Sequence, residues 1–270
     1  MATSENANLS NAKWPDIKNR IFDFAFGAAL NDATMQRAYS PTKYPGTTKK
    51  TDAQKKDDAG LKRDMKKIIA DKTKTTVRRF IDNKLLKNEL TSQGEFDTAF
   101  YGLANEIAGE LSKGKLLTAY KELRCDNDAK EEWVGTFTFG NIQKLINMTA
   151  KYIYVTCYEN QNKRDCFQYC HCPMDSVMIQ TVDSAYNGEI GKDVNWREVR
   201  WSKITDDLVS SPTETIPSTS IDVYKQFQTR VKELLKDRDI YPIEYDFLYW
   251  KRDDDGTKNL CTPVPQKSPC

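Results

Sequence analysis

The clearest periodic pattern of apolar residues lies between Gly135 and Ile179. From Ile142 onward the apolar residues recur at helical spacing, and they predict one broad buried face and a second face that is nearly as apolar. A helix with this pattern is typical of the centre of a domain. A second apolar stripe follows Pro173-Met174-Asp175-Ser176 and predicts another helix, which ends near Tyr186.

Similar patterns predict helices on both sides of this central pair. One begins at Trp14 with Pro15 at its first position, and two with basic outer faces lie between Leu61 and Leu90, broken near Lys72–Thr76. Further helices are predicted at Phe96–Leu111, Lys115–Arg124 and Ser220–Lys236. Loops are predicted at Tyr39–Gly60, Gly188–Asn195 and Ser210–Ser220. Strand signals are few, so the sequence predicts an all-α fold.

A chain of 270 residues can bury a sizeable core, in one domain or in two closely packed subdomains. We predict a disordered N-terminus at residues 1–12, a helical domain at 13–250 and a polar tail at 251–270. The aromatic run Pro242–Trp250 is predicted to be core, with Glu244 and Asp246 as an alternative acidic site. No signal peptide or membrane-spanning run is visible, which predicts a soluble, cytoplasmic monomer with no membrane partner.

The charge is unevenly distributed, although the whole chain carries only +2. Between Lys43 and Lys84 there are fourteen Lys and Arg residues against six Asp residues. Such a segment suits contact with phosphate groups. A solvated helix face is the alternative explanation.

Cysteine and histidine limit the possible chemistry. An odd number of cysteines, seven, in a long chain argues against a disulfide scaffold. Cys166, Cys170 and Cys172 surround the only histidine, His171, and are candidate ligands for zinc or an iron–sulfur cluster. Their spacing matches no standard zinc finger, so we expect buried free thiols and no cofactor. A single histidine excludes sites with two or three histidine ligands, and no P-loop or dinucleotide-binding motif is present.

Lys144 and Asp175 are the candidate catalytic residues. Lys144 is predicted to lie in the first turn of the central helix, where the helix dipole disfavours a cation. Asp175 is placed to cap the following helix. Taken singly, a solvated lysine and an ordinary cap explain them.

Together the two residues resemble the helix-hairpin-helix DNA glycosylases. In that family a hairpin containing glycine leads into a helix that carries a lysine, and a later P-x-D opens the next helix. Here Gly140 precedes Lys144 by four residues, Asn147 follows it by three, and Pro173-Met174-Asp175 supplies the aspartate motif. The resemblance covers residues 135–180 only.

Two features depart from the family pattern. Ile142 replaces the second glycine of the hairpin, so we expect an altered turn that does not bind a phosphate in the usual way. Asp175 follows Lys144 by 31 residues, a spacing that requires an insertion around Tyr158–Cys172.

The resemblance implies a site that removes a base from double-stranded DNA, by flipping one nucleotide into a pocket between helices. Asp175 would stabilise the positive charge that develops on the sugar or activate the nucleophile. If burial and the helix N-terminus lower the pKa of Lys144, its amine could form a Schiff base and nick the strand. Lys151, two helical turns further on, is the alternative lysine.

The resemblance also implies which residues touch DNA. The candidates for backbone contacts are Gly140, Asn141, Gln143, Asn147 and Lys151. Phe137, Phe139 and Trp201 are candidates for stacking on the flipped base. Modified phage DNA in a defence setting is one conceivable substrate.

Two other functions fit an all-α chain. The first is a helical nucleic-acid-binding module without catalysis, in which Asp175 is only a cap. The second is a helical protein–protein interaction domain, in which the basic segment is a solvated surface.

Overall fold

The computed structural model describes residues 14–35, 38–157, 159–186, 194, 196, 198–205 and 218–249. Within these ranges the regular elements are helices and no strand occurs, which confirms the all-α fold class. No helix there is both long and apolar enough to cross a membrane. The predicted disordered N-terminus, the polar tail and most of the predicted 210–220 loop lie outside the described residues.

In chain order the α-helices are α1 (Trp14–Thr34), α2 (Asp52–Phe80), α3 (Gln93–Glu110), α4 (Lys113–Arg124), α5 (Glu131–Val134), α6 (Phe139–Cys157), α7 (Gln161–Arg164), α8 (Ser176–Ala185), α9 (Ile221–Leu235) and α10 (Pro242–Tyr249). A π-helical turn (Ile81–Leu85) continues α2, and 3₁₀ turns cover Asp165–Phe167 and Trp201–Lys203. Helices α1, α3, α4, α8 and α9 lie where the apolar periodicity predicts them.

Helix α6 is the centre of the fold, as its sequence predicts. All of its residues are buried except Tyr152, Val155 and Thr156. Helix α1 lies along it, and α3, α10 and the Trp201–Lys203 turn pack against its other sides. Because neighbours cover α6 on several sides, even its polar side chains lie in the interior.

The start of α6 differs from the prediction. Gly140 and Asn141 lie within its first turn rather than in a hairpin before it, so Lys144 lies in the second turn. Thr138 and Asn141 explain the earlier start, because the hydroxyl of Thr138 accepts the amide of Asn141 while Asn141 Oδ1 accepts the amide of Thr138 at 3.1 Å. The apolar pattern begins only at Ile142 and therefore predicts too late a start.

Helix α2 is also longer than predicted. A capping box starts it, in which Thr51 and Gln54 each accept the other's backbone amide. The expected break at Lys72–Thr76 is wrong, because Thr73 is buried between Ile69 and Val77 and continues the buried side of the helix. The hydroxyl of Thr73 is satisfied by the carbonyl of Ile69. One helix therefore presents most of the basic segment.

Candidate active site

Lys144 and Asp175 meet at the start of α8. Oδ1 of Asp175 accepts the backbone amides of Val177 and Met178, both at 2.9 Å, so Asp175 is the N-cap. Oδ2 accepts Lys144 Nζ at 2.7 Å. Only 6% of the Lys144 side chain and 15% of the Asp175 side chain are exposed. The structure thus brings together the two residues that the sequence singles out, in a largely dry environment.

The surrounding charges keep both groups ionised. Burial by itself would raise the pKa of Asp175, but Lys144 and the two amides outweigh it and hold this pKa below its usual value. Burial by itself would lower the pKa of Lys144, yet the carboxylates of Asp175, Asp246 and Asp32 outweigh it and raise this pKa. The expectation of a lowered lysine pKa is therefore wrong for this state of the protein.

A second buried pair lies two turns further along α6. Lys151 donates to Oδ2 of Asp246 on α10, and both residues are buried. Oδ1 of Asp246 has no hydrogen-bond partner among the described residues. Burial raises the pKa of Asp246, and the charge of Asp175 raises it further against the opposing effect of Lys151. Asp246 thus retains a free acceptor close to the first pair.

Asp32 at the end of α1 completes the cluster. Its Oδ2 accepts the hydroxyl of Tyr152 at 2.7 Å, and its charge contributes to the raised pKa of Lys144. We call Lys144, Lys151, Asp175 and Asp246, together with the half-buried Asp32, the buried charge cluster. It carries one more carboxylate than lysines, so its net charge is negative when all five groups are ionised. Such a field favours positive charge that develops nearby.

Sequence reasoning overlooked Asp32 and set Asp246 aside as core. Both come from segments remote from α6 in the chain, and neither belongs to a motif or a spacing that includes Lys144. The only sequence signal was an acidic residue in an otherwise apolar stretch, which Asp246 shows within Pro242–Trp250. A buried lysine needs a counter-charge, so a search for such acidic residues would have been justified.

The predicted phosphate contact of the Gly140 region needs correction. The amide of Gly140 donates to the carbonyl of Ile204 at 3.0 Å. A Cβ atom at this position would lie 1.6 Å from the carbonyl oxygen of Trp201. Asn141 is fully buried and donates to the carbonyls of Ala33 and Ala38. These groups hold the fold together and are closed to DNA in this structure.

Gln143 and Asn147, two further candidates for DNA contact, also face the interior. Gln143 Nε2 donates to the carbonyl of Met174 at 2.8 Å, and the amide of Met174 donates back to Gln143 Oε1 at 3.3 Å. Asn147 Nδ2 donates to Gln143 Oε1 and to the hydroxyl of Tyr224. Because Met174 directly precedes Asp175, this clamp positions the candidate carboxylate.

His171 extends the same network towards the surface. The Tyr224 oxygen accepts from Asn147, so its hydrogen points to His171 Nδ1 at 2.9 Å. His171 Nε2–H then donates to Asp97 Oδ1, also at 2.9 Å. This assignment makes His171 a neutral imidazole with both ring nitrogens satisfied.

His171 is expected to make the folded protein less stable at low pH. Burial lowers the pKa of His171 and outweighs the opposing effect of Asp97. As the pH falls below about 6.5, His171 takes up a proton in the unfolded chain, whereas in the folded protein it does so only at lower pH. The contribution of neutral His171 to the free energy of unfolding is therefore complete above that pH and is lost as the pH falls below it. Urea denaturation of the wild type and of His171→Gln, above and below this pH, measures the effect. Equal pH dependence of the two proteins would contradict it.

Of the predicted stacking residues, only Trp201 lies at the site. Phe137 packs edge-on against Tyr39 and Phe139 packs edge-on against Tyr224, with both phenylalanines buried. They are core residues, which corrects the predicted role. The Trp201 ring is partly exposed, and its centroid lies 5.9 Å from Lys144 Nζ.

The cysteines near His171 are free thiols. Cys170 and Cys172 are buried, and burial raises the pKa of both thiols. No group of three His, Cys, Asp or Glu side chains within the described ranges could hold a metal ion. His171 already uses both ring nitrogens in hydrogen bonds with Asp97 and Tyr224.

No protein-family model, curated protein or solved structure matches this chain. The resemblance to the glycosylases therefore depends on the residues between 135 and 180. Within this stretch Lys144 and Asp175 are in contact, and Gly140 lies in the first turn of α6 rather than in a hairpin.

Proposed function

We propose that this protein is a DNA glycosylase that removes a base through Asp175 and water. The observation that supports the proposal is the contact between Lys144 and Asp175, 2.7 Å apart at the start of α8 within the buried charge cluster. A carboxylate held in this way is suited to a reaction that develops positive charge on a sugar. The proposal needs a flipped nucleotide, with Trp201 as the candidate stacking residue.

The proposed reaction breaks the bond between the base and sugar carbon C1′. The bonding electron pair leaves with the base, which takes up a proton, and the sugar becomes a cation. Asp175 is ionised at neutral pH because its pKa is lowered, so it stabilises that cation from Oδ2. Water then adds to C1′ and releases a proton, which leaves an abasic site. Asp246 Oδ1, which has no hydrogen-bond partner among the described residues, is the candidate acceptor for that proton.

Lys144 has a positioning role in this proposal. Its raised pKa keeps the side chain an ammonium ion, and an ammonium ion has no lone pair with which to attack C1′. Its contact fixes Oδ2, while the amides of Val177 and Met178 fix Oδ1. We therefore favour hydrolysis over the Schiff-base route that the resemblance also allows.

Borohydride trapping with hot-alkali cleavage, on a pool of damaged and modified duplexes, tests the proposal. We expect alkali-sensitive sites without a trapped adduct, because Lys144 is protonated. An adduct that disappears in Lys144→Ala would keep the glycosylase function and replace hydrolysis by the lyase route. Absence of both signals on every duplex would refute the function.

A non-catalytic DNA-binding module is the second candidate. The capping geometry of Asp175 favours this candidate. Oδ1 of Asp175 accepts the amides of Val177 and Met178, which is a structural role that needs no catalysis. Such a module would bind duplexes without releasing a base, and Asp175→Asn would then change stability only. The trapping assay, run beside a binding measurement, separates the two functions.

A further inference from the structure

Helix α2 carries a row of exposed cations that are not paired with any carboxylate of the described residues. Lys56, Lys62, Arg63 and Lys67 are all exposed, and none of them forms an ion pair with a described residue. Residues 56, 63 and 67 are separated by seven and four positions, so they lie along one outward line of the helix. Lys62 lies on the adjoining side. We call these four residues the α2 basic surface.

Most neighbouring carboxylates are occupied by other partners. Asp58 pairs with Lys50, and Asp64 pairs with Arg124. Asp71 is exposed one turn beyond Lys67 and limits the basic surface at that end. The positive charge of the α2 basic surface is therefore left largely uncompensated, unlike that of an ordinary surface helix covered by ion pairs.

The end of α1 links α2 to the buried charge cluster. Lys66, which lies one turn from Lys62 on the same side of α2, donates to Asn31 near the end of α1. The next residue in the chain, Asp32, belongs to the cluster and bonds Tyr152 of α6. The end of α1 therefore contacts both the helix that carries the basic surface and the helix that carries Lys144.

We propose that the α2 basic surface binds backbone phosphates of duplex DNA and presents the duplex to the candidate active site. This inference rests on the proposed function. The first turn of α6 gives it further support, because the Gly140 amide already donates to Ile204 and the site needs its phosphate contacts from elsewhere. Exposed Lys and Arg side chains supply such contacts, with an affinity that falls as salt is added.

A matched pair of charge reversals tests the inference. Lys62→Glu/Lys67→Glu changes two exposed lysines of α2. Lys113→Glu/Lys130→Glu changes two exposed lysines elsewhere, which likewise form no ion pair within the described part of the chain. Fluorescence anisotropy with a labelled duplex over a salt series measures binding. We expect the α2 variant to lose about tenfold or more in affinity and roughly two units of salt slope, and the control to lose far less.

Base release by the same proteins separates this inference from the proposed function. The inference and the proposed function both hold under one outcome. In it, half-maximal base release requires a higher concentration of the α2 variant than of the wild type, but the variant reaches the wild-type single-turnover rate at saturation. Affinity and salt slope that are unchanged in the α2 variant, or reduced equally in the control, overturn the inference whatever the catalysis. Binding lost in the α2 variant, with no base release by any protein, supports the surface and refutes the glycosylase.

Discussion

Asp175→Asn is expected to reduce base release by about 10²–10³-fold, while duplex binding is retained. The asparagine amide can still cap α8 through its oxygen, but it carries no charge with which to stabilise the sugar cation. The measurement is the single-turnover rate of alkali-sensitive site formation, with duplex affinity determined in parallel. A variant that releases base at the wild-type rate would remove Asp175 from the mechanism.

The stability of this variant must be measured as well. Asp175→Asn leaves Lys144 buried without its ion-pair partner, and breaking such a pair costs about 3–5 kcal/mol. Lys144→Met/Asp175→Asn removes both charges, so it should recover much of that stability but not the activity. Glu244→Gln is the matched control. It breaks a different ion pair, between Glu244 of α10 and Arg164 of α7, and should leave base release intact.

Gly140→Ala should lower the free energy of unfolding by about 3 kcal/mol or more. This loss is at or above the upper end of the range that is typical when extra atoms are forced into a packed core. The new Cβ would lie 1.6 Å from the carbonyl oxygen of Trp201 and 2.7 Å from its carbonyl carbon. These are backbone atoms, so no side-chain rotation relieves the clash and the Trp201–Lys203 turn must move away from α6. Denaturant unfolding measures the loss.

Gly102→Ala provides the matched control on another helix. Gly102 lies within α3, and a Cβ there would meet nothing within 4 Å. Alanine restricts the unfolded chain and favours the helix, so this change should stabilise the protein by roughly 0.5–1 kcal/mol. Destabilisation by both substitutions to the same extent would show that the close approach of Trp201 to Gly140 is wrong.

The central features of the fold follow from local pattern. The apolar periodicity of α6 predicts a buried central helix, because a helix that is apolar on most sides is covered on most sides. The capping role of Asp175 is equally local, since a carboxylate at the first turn can reach the free amides of its own helix. The pairing of Lys144 with Asp175 came from the resemblance of this stretch to a family motif.

The apolar periodicity did not predict the bounds of two helices, α6 and α2, because polar side chains contribute to both. The start of α6 is set by the reciprocal bonds of Thr138 and Asn141, which precede the first apolar position. Helix α2 passes unbroken through Lys72–Thr76 because buried Thr73 continues the side formed by Ile69 and Val77, with its hydroxyl bonded to the helix backbone. In both cases a polar side chain occupies a helical position that the apolar pattern does not predict.

The sequence by itself thus determined the helical class, the central position of α6 and the two residues at the centre of the candidate site. Only the tertiary structure decided their chemistry. Asp32 and Asp246 come from the two ends of the described chain, and with Asp175 they raise the pKa of Lys144 where burial alone would lower it. Charge interactions depend on distances in space and on exclusion of water, and neither quantity is encoded in the spacing of residues along the chain.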